Sequence, residues 1–289
     1  MKAKMSGASG PEYALIDCGD CGRLERIGGV LVARPAPAAE WPRALPDSEW
    51  KKADVTFSRE HGWRGEAPEA WRVRLNDVTL RLRPASGGQI GAFPEHANVR
   101  GRLEKILVSK RPTDTGWRAL SLFGHTGLAT LSLARDERVI ETVHVDAQSS
   151  AVRQGKDNAA LSGLSDARIR WLVDDAAGFL ARERRRNRRY DVIVADPPAY
   201  GRDRRTGGEW KLERDLPGLV AMMNDALSPD GVLCLSCHPV GRDAKRLQSA
   251  VTANAPSLRP VFSESLALSP ESGAPPLPLG LLVIAQKSA

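Results

Sequence analysis

Cysteine, long apolar runs and an apolar N-terminal segment are scarce or missing in this sequence. Four cysteines in 289 residues are too few for a disulfide framework and are typical of a protein kept in a reducing compartment. No apolar run approaches the roughly 20 residues that a membrane-spanning helix requires. Residues 1–13 lack the apolar centre of a secretory signal, so we expect a cytoplasmic protein that does not associate with a membrane.

The charge balance is basic, with 42 Lys and Arg against 35 Asp and Glu and a formal net charge of +7. A basic balance is compatible with a polyanionic partner such as nucleic acid, but many proteins share it for other reasons. Hydrophobic residues make up 42% and charged residues 27%, as in an ordinary globular chain. The length allows one large domain, or one domain with a smaller unit attached.

The N-terminal part of the chain has the pattern of short β-strands. Residues 1–12 are expected to be a disordered lead, and residues 13–84 a small β-rich unit. Two strands flank the turn at 18–22, and a second hairpin turns at Asn76-Asp77 between alternating apolar and basic residues. Four tryptophans in this unit are interpreted as core anchors, with base stacking by one or two of them as the alternative: Trp41, Trp50, Trp63 and Trp71.

Residues 85–289 alternate regularly between strand and helix. After a glycine-rich loop, one helix is predicted from Pro94 to about Leu107. Further strands are predicted near 119–122, 140–145, 168–173, 190–195 and 232–237. Further helices are predicted near 126–135, 148–162, 175–187, 212–227 and 241–254. Two final strands follow with no helix between them and should pair antiparallel. We therefore predict an α/β fold with a mostly parallel sheet and a final antiparallel hairpin. This pattern resembles that of the class I methyltransferases, which implies a Rossmann-like sheet.

A glycine-bearing turn follows the first strand of this sheet. It reads Phe123-Gly124-His125-Thr126-Gly127 and lies where doubly wound sheets bind ligands, beyond the carboxyl ends of the strands. Glycine has no Cβ and lets a ligand approach the backbone closely. We predict cofactor contacts at Phe123, Gly124, Thr126 and Gly127. The alternative is an ordinary tight turn, since a single Gly-x-x-Gly is a weak motif.

Carboxylates follow the next two strands. Asp146, followed by Ala147, comes about 20 residues after the glycine turn, where an acid can accept both hydroxyls of a ribose. Asp175 could accept the exocyclic amine of an adenine, while its neighbour Asp174 is expected to be only a helix N-cap. A capping role is the alternative for Asp146 as well. These features do not separate S-adenosylmethionine from NAD.

The most specific motif is Asp196-Pro197-Pro198-Ala199-Tyr200. Its two prolines impose an extended exit from the fourth strand and remove two backbone donors. The Asp196 carboxylate would then face the place where a methyl group is delivered. Tyr200 could stack on a planar substrate, and Arg202, Arg204 and Arg205 beyond it could contact phosphates.

Two cysteine pairs have spacings that resemble metal-ligand spacings. Cys237, at the end of the fifth strand, could attack C6 of a pyrimidine and activate C5, with His238 beside it; a buried strand cysteine is the alternative. Cys234 is predicted to be core. Cys18 and Cys21 lie in a different unit from Cys234 and Cys237, so we predict no zinc site and no other metal.

These motifs resemble those of the bacterial 23S rRNA cytosine-C5 methyltransferases and their uncharacterised smaller relatives, over most of residues 85–240. The resemblance rests on GGQIGAFPEHANVR, SLFGHTGLAT, VDA, VDDAAGFL, DPPAYGR and LSCHP. It implies that the segment with Gly91, Phe93 and Glu95 closes over S-adenosylmethionine. The chain departs from the family at His125, where tyrosine is usual, and at Cys237, which aligns with the family's catalytic cysteine only after a shift of one residue.

The sequence therefore predicts an S-adenosylmethionine-dependent methyltransferase. We expect Asp196, Pro197, Tyr200 and Cys237 at the catalytic centre. The expected substrate is an RNA base, with C5 of a cytosine in rRNA favoured. Three alternatives stay open: methylation of a nitrogen or oxygen in a protein or small molecule, a catalytically silent RNA-binding protein, and a nicotinamide-dependent oxidoreductase.

Overall fold

The computed structural model describes residues 12–107, 116–202, 208–238 and 244–288. Seven short strands form the N-terminal part: β1 (Tyr13–Gly19), β2 (Gly22–Ile27), β3 (Val30–Pro35), β4 (Val55–Ser58), β5 (Gly62–Gly65), β6 (Arg72–Leu75) and β7 (Val78–Arg81). The first five form one sheet in the order β1-β2-β3-β4-β5, and β6 pairs with β7. Both predicted hairpins are present. The predicted lead lies outside the described residues, apart from Glu12.

Strands β4 and β5 were not predicted. They are four residues each, and β4 joins the sheet by pairing parallel to β3 through Val32 and Val55. A short helix, α1 (Asp47–Trp50), lies in the connector between β3 and β4. The indole N–H groups of all four tryptophans in this part donate to other groups of the protein, which fits the interpretation as anchors.

The central sheet has seven strands: β8 (Trp117–Leu122), β9 (Val139–Asp146), β10 (Ile169–Val173), β11 (Tyr190–Ala195), β14 (Leu227–Cys237), β15 (Leu258–Leu268) and β16 (Leu277–Lys287). A separate small hairpin follows β11: β12 (Tyr200–Arg202) and β13 (Glu209–Lys211). The helices are α2 (Val99–Leu107), α3 (Leu128–Ala134), α4 (Ser149–Leu161), α5 (Ala176–Arg185), α6 (Leu212–Ala226) and α7 (Ala244–Asn254). The bounds of α3, α4, α5, α6 and α7 agree closely with the predicted alternation. Within the described part of the chain, no helix is both long enough and apolar enough to cross a bilayer.

The strand order of the central sheet is β10-β9-β8-β11-β14-β16-β15. Strands β10, β9, β8, β11 and β14 run parallel, and β16 lies antiparallel between β14 and β15. The predicted fold class and final hairpin are confirmed. The first strand of this sheet along the chain, β8, lies in the middle of the sheet. The strands β9 and β10 add on one side of β8, and β11 and the later strands add on the other side. The ligand crevice is therefore expected at the carboxyl ends of β8 and β11, where the strand order reverses.

The helix predicted from Pro94 to Leu107 is wrong as a single element. A 3₁₀ turn covers Pro94–His96, and α2 begins only at Val99. The carbonyl of Ala97 accepts a hydrogen bond from the side-chain amide of Asn76, and the carbonyl of Asn98 accepts the first helical bond, from Arg102. Helix α2 therefore begins only after Asn98. The residues before Asn98 are not part of this helix and can fold over the edge of the sheet.

The N-terminal part packs directly on helices of the central sheet. One apolar cluster joins Ile27 and Leu80 to Leu131 of α3 and Ala159 of α4. Strand β7 is tied to α4 by side chains as well, since the N–H of Arg81 donates to Asn158 Oδ1 over 2.9 Å. The division at residue 84 stays a prediction, since the two parts share this core.

Candidate active site

Residues with chemically active side chains meet at the carboxyl edge of the central sheet. Phe123, Asp174, Asp196 and His238 directly follow β8, β10, β11 and β14, and Asp146 is the last residue of β9. Because these strands are parallel neighbours, the sequence could place all five groups at one edge. The geometry of each group depends on local packing.

The turn after β8 has an unusual backbone. Phe123 and His125 have φ of 54° and 46°, and Gly127, the N-cap of α3, has φ of 96°. Residues other than glycine adopt this left-handed region rarely, and it is found at ligand-binding turns. The N–H of Gly124 donates to the carbonyl of Val145, which fixes the turn against β9.

Gly124 sits against a buried imidazole. A Cβ at this position would lie 2.4 Å from Cε1 of His144. The ring cannot easily move, because His144 is fully buried and its Nδ1 shares a 2.7 Å hydrogen bond with the hydroxyl of Thr130. Burial, with a smaller effect of His125, lowers the pKa of His144 to about 3, so this ring is neutral.

We expect Gly124→Ala to lower the free energy of unfolding by about 1–3 kcal/mol, the usual effect of overpacking a filled site. Urea unfolding of the purified protein measures this. The matched control is Gly87→Ala, because a Cβ there would meet nothing within 4 Å. Equal stability of the two variants would contradict the role assigned to the Gly124–His144 contact.

Asp146 is held by two backbone amides. Its Oδ2 accepts from the N–H of His125 over 2.9 Å, and its Oδ1 accepts from the N–H of Gln148 over 2.8 Å. Each carboxylate oxygen can accept a further hydrogen bond. Asp146 is half-buried and Ala147 is exposed, so a ligand can reach both. This arrangement fits a vicinal diol such as that of a ribose.

The acid that caps α5 is not the one that the sequence predicted. Asp175 is the N-cap of α5, since its Oδ2 accepts from the N–H of Gly178 over 2.6 Å. Asp174, predicted to be the cap, instead pairs with Arg182 and accepts from the N–H of Asp175. The cap prediction for Asp174 is wrong because the helix begins one residue later. Capping occupies one oxygen of Asp175, and its cofactor contact stays a prediction.

Asp196 lies in a network of charged and polar side chains. Ser236 donates to its Oδ1 over 2.8 Å, and Nε2 of His96 lies 3.4 Å from its Oδ2. Desolvation raises the pKa of this carboxyl, but the charges of His96 and His238 and the hydrogen bonds bring the pKa below its ordinary value. The side chain is 32% exposed. Asp196 is therefore an ionised acceptor that a substrate can reach.

The segment before α2 folds over this edge. The carbonyl of Gly91 accepts from the hydroxyl of Thr126 over 2.7 Å, and the ring of Phe93 lies 5.2 Å from that of His125. Glu95 is buried, with its side chain 4% exposed, and its Oε1 lies 3.9 Å from Nε2 of His238. Phe93 and Glu95 thus lie against the edge that the resemblance assigned to them.

His96 was not predicted as a site residue. Desolvation lowers its pKa, but the neighbouring charges of Asp196 and Glu95 raise the pKa above its ordinary value. Ligand atoms of Glu95, His96 and His238 lie within 4.8 Å of one another. Among the described residues, no cysteine belongs to such a group. The sequence signal was only the adjacency of an acid and a histidine after Pro94.

The prolines after Asp196 lead into the β12–β13 hairpin. Trp210 of β13 donates from its indole N–H to the carbonyl of Pro198 over 2.7 Å and packs against Phe123. Tyr200 is 50% exposed and donates from its hydroxyl to Glu209 over 2.7 Å. Pro197 is buried. Trp210 was missed by the sequence reasoning. Arg204, Arg205 and the side chain of Arg202 lie outside the described residues.

Cys237 is part of the sheet core. It is 3% exposed and pairs with Leu281 of β16. Burial, and then the charge of Asp196, raise the pKa of its thiol to about 12. Cys234 is buried in the same strand, as predicted. In this structure the Cys237 thiol is protonated and enclosed, so its nucleophilic role stays a prediction.

No family model matches the chain. Among curated proteins, the ribosomal RNA large subunit methyltransferase K/L of Pseudomonas paraeruginosa is 31% identical over 248 residues, which are 81% of this chain and 33% of that protein. The protein of the same name from Chromohalobacter salexigens is 28% identical over 213 residues, 74% of this chain and 26% of that protein. The chain thus spans about a quarter to a third of the length of these relatives.

Solved structures match over the whole chain. A structure from Streptococcus mutans shares the fold alone, with a TM-score of 0.74 and 16% identity over 97% of this chain and 76% of its own. The S-adenosylmethionine-dependent methyltransferase of Agrobacterium tumefaciens is 31% identical, with a TM-score of 0.84 over 96% of this chain and 92% of its own. S-adenosylmethionine is the cofactor, as predicted, and this chain belongs to the class I S-adenosylmethionine-dependent methyltransferases.

Proposed function

We propose that this protein transfers a methyl group to a base of ribosomal RNA. The observation that carries the proposal is the ionised, accessible Asp196 beside two prolines at the switch point of the sheet. The names of the curated relatives, ribosomal RNA large subunit methyltransferases, support RNA as the substrate. The net charge of +7 agrees with a polyanionic partner.

The residues at the carboxyl edge of β8, β9 and β10 fit S-adenosylmethionine. The sulfonium group of this cofactor supplies an electrophilic methyl group. Asp146 would accept the ribose hydroxyls with the lone pairs that its two amide contacts leave. The turn that carries Gly124, packed closely on His144, would line the cofactor site, and Asp175 would accept the adenine amine through its second oxygen. Phe93 would cover the cofactor from above the edge, together with the backbone of the segment that carries Glu95.

Asp196 and Tyr200 would handle the RNA base. A carboxylate that stays ionised accepts a hydrogen bond from an N–H group and orients the nitrogen lone pair. Tyr200 offers a half-exposed ring on which a neighbouring base can stack. When a nitrogen is methylated it loses a proton, and Asp196 with His96 provides a polar route for that proton to water.

The environment of Cys237 supports one choice of the atom that accepts the methyl group. Methylation at C5 of cytosine, the finer hypothesis from the sequence, needs a thiolate that adds to C6. A thiol with a pKa of about 12 in the sheet core is poorly prepared for this step. The geometry around Asp196 favours a nitrogen of the base instead, and C5 of cytosine is the alternative.

The test uses S-adenosylmethionine with a labelled methyl group. The protein is incubated with ribosomal subunits, total RNA or protein extract, and the RNA is digested to nucleosides. Label in an N-methylated nucleoside of rRNA is expected. Label only in protein or in small molecules would overturn the RNA proposal, and no label in any fraction would overturn the proposed activity.

Cys237→Ala separates the two acceptor atoms. We expect it to keep kcat within about threefold of wild type if a nitrogen is the acceptor, because the loss of one buried sulfur affects only packing. For a C5 acceptor, loss of the nucleophile should instead abolish turnover. Cys234→Ala is the matched control, since Cys234 is equally buried in β14 and its side chain has no proposed role. 5-Methylcytidine formed by wild type but not by Cys237→Ala would contradict the nitrogen assignment.

A further inference from the structure

A cavity of about 330 Å³ lies between the five-stranded N-terminal sheet and the candidate active site. Its walls include Phe57, Arg23, Arg34 and Arg59 from the N-terminal sheet, with Glu95 and His238 from the edge of the central sheet. The volume is in the range of pockets that hold small organic ligands. None of the residues on the N-terminal wall has a part in the cofactor site proposed above.

The N-terminal wall carries excess positive charge. Arg34 donates to both oxygens of Glu25, over 2.6 and 3.1 Å, and Nε of Arg23 lies 3.5 Å from the same carboxylate. Desolvation raises the pKa of Glu25, but Arg34 and Arg23 outweigh it and lower the pKa to about 2. The single negative charge of Glu25 thus faces two guanidinium groups, which leaves a net positive charge on this wall. Arg59 adds a further, exposed charge at the rim.

The same wall presents an aromatic ring. Phe57 is half-buried, and its ring lies 5.0 Å from that of Trp63. Gly88 lets the chain pass close to this ring, since a Cβ there would lie 2.6 Å from Cδ1 of Phe57. The ring is therefore fixed in position by its neighbours. A fixed aromatic ring beside cationic side chains is the arrangement by which proteins hold single-stranded nucleic acid.

The opposite wall holds an unsatisfied acceptor. Glu95 has a side chain only 4% exposed, and its Oε2 has no hydrogen-bond partner among the described residues. A buried acceptor without a partner is unfavourable, and a ligand with an N–H donor would satisfy it. The ring of His238 lies 6.4 Å from that of His96, which in turn pairs with Asp196. The cavity therefore reaches the candidate catalytic network.

We infer that this cavity receives one unstacked nucleotide of the RNA substrate. Its base stacks on Phe57 and donates an amino or imino hydrogen to Glu95, and its phosphates lie against Arg23 and Arg59. This nucleotide is a neighbour of the target base at Asp196 and Tyr200, and it is unstacked because enzymes that modify a base take that base out of the stack. The inference rests on the proposed function for the identity of the ligand. It assigns the N-terminal β-rich part to substrate binding.

Charge reversal at the rim tests the inference with little risk to the fold. Binding of a fluorescein-labelled, mixed-sequence single-stranded RNA 12-mer is measured by anisotropy with wild type, Arg59→Glu and Arg64→Glu. Arg64 is also exposed and lies in the same sheet, but it does not line the cavity. We expect Arg59→Glu to raise Kd at least about fivefold and Arg64→Glu less than twofold, since phosphate contacts act locally beyond the shared change in net charge. Equal effects of the two variants would overturn the pocket.

A cross-link locates the nucleotide directly. A 5-iodouridine-substituted 12-mer is irradiated with the protein, and the linked peptide is identified by mass spectrometry. We expect the link at Phe57 and its loss in Phe57→Leu; a link elsewhere overturns the inference. Thermal unfolding and S-adenosylmethionine binding of each variant show that the fold is kept.

Different results would refute the proposed function and the proposed nucleotide pocket. Wild type that cross-links RNA at Phe57 but methylates none would refute the proposed function and support the pocket. Wild type that methylates rRNA, with Arg59→Glu and Phe57→Leu unchanged in both Kd and KM for RNA, would support the proposed function and refute the pocket.

Discussion

Asp196→Asn is expected to lower kcat for methyl transfer by about 10²- to 10³-fold, the loss that follows removal of one oriented electrostatic partner in an active site. Asparagine has the size of aspartate, so the Pro197 exit and the packing should stay. The substitution removes the charge that pairs with His96, at 3.4 Å, and leaves one amide oxygen in place of two carboxylate oxygens. Single-turnover transfer from labelled S-adenosylmethionine measures the effect.

Asp191→Asn is the matched control for this prediction. Asp191 lies in the same strand, β11, at the opposite end, where it accepts from the N–H of Arg118. This variant loses the same charge and should keep kcat within about threefold of wild type, because the carboxylate lies far along the strand from the edge. An Asp196→Asn enzyme with more than a tenth of wild-type kcat would remove Asp196 from the catalytic role.

The sequence predicted the central sheet well because its pattern is local and repeated. The runs at 192–195 of β11 and 232–235 of β14 are apolar throughout, as strands covered on both faces must be, and the helices between the strands restart at regular intervals. The N-terminal sheet was harder. The pairing of β4 with β3 joins Val55 to Val32 across 22 intervening residues, and nothing in a four-residue strand indicates such a partner.

The candidate site likewise contains residues that the sequence could place and residues that it could not. Asp146 and Asp196 could be placed from the sequence because both end strands of one parallel sheet. His96 could not, because its contact with Asp196 spans 100 positions and depends on the break between the 3₁₀ turn and α2. The wrong cap prediction, Asp174 instead of Asp175, has a smaller cause. Patterns locate a helix start only to within a residue or two, whereas capping depends on the position itself.

Asp146→Asn is expected to raise the Kd for S-adenosylmethionine by about 10- to 100-fold, since hydrogen bonds to a charged group contribute about 1.5–3 kcal/mol each. The carboxylate accepts from two backbone N–H groups, and an amide can accept with only one of its two heteroatoms. The variant therefore loses both charge and orientation toward the ribose hydroxyls. Isothermal titration with S-adenosylmethionine, or with S-adenosylhomocysteine, measures Kd without any RNA.

Asp174→Asn tests whether the weaker cofactor binding of Asp146→Asn comes from the position of the lost carboxylate or only from the loss of a negative charge at this edge. Asp174 ends the neighbouring strand at the same edge, but its carboxylate is occupied by Arg182 and by the N–H of Asp175. Its loss should change Kd by less than about threefold, because long-range charge effects at this edge are screened by salt. If both variants weakened binding equally, the ribose contact of Asp146 would be wrong, and the edge would act on the cofactor only through its overall potential. A weakened Asp146→Asn beside an unchanged Asp174→Asn would assign the contact to Asp146, independently of which RNA is methylated.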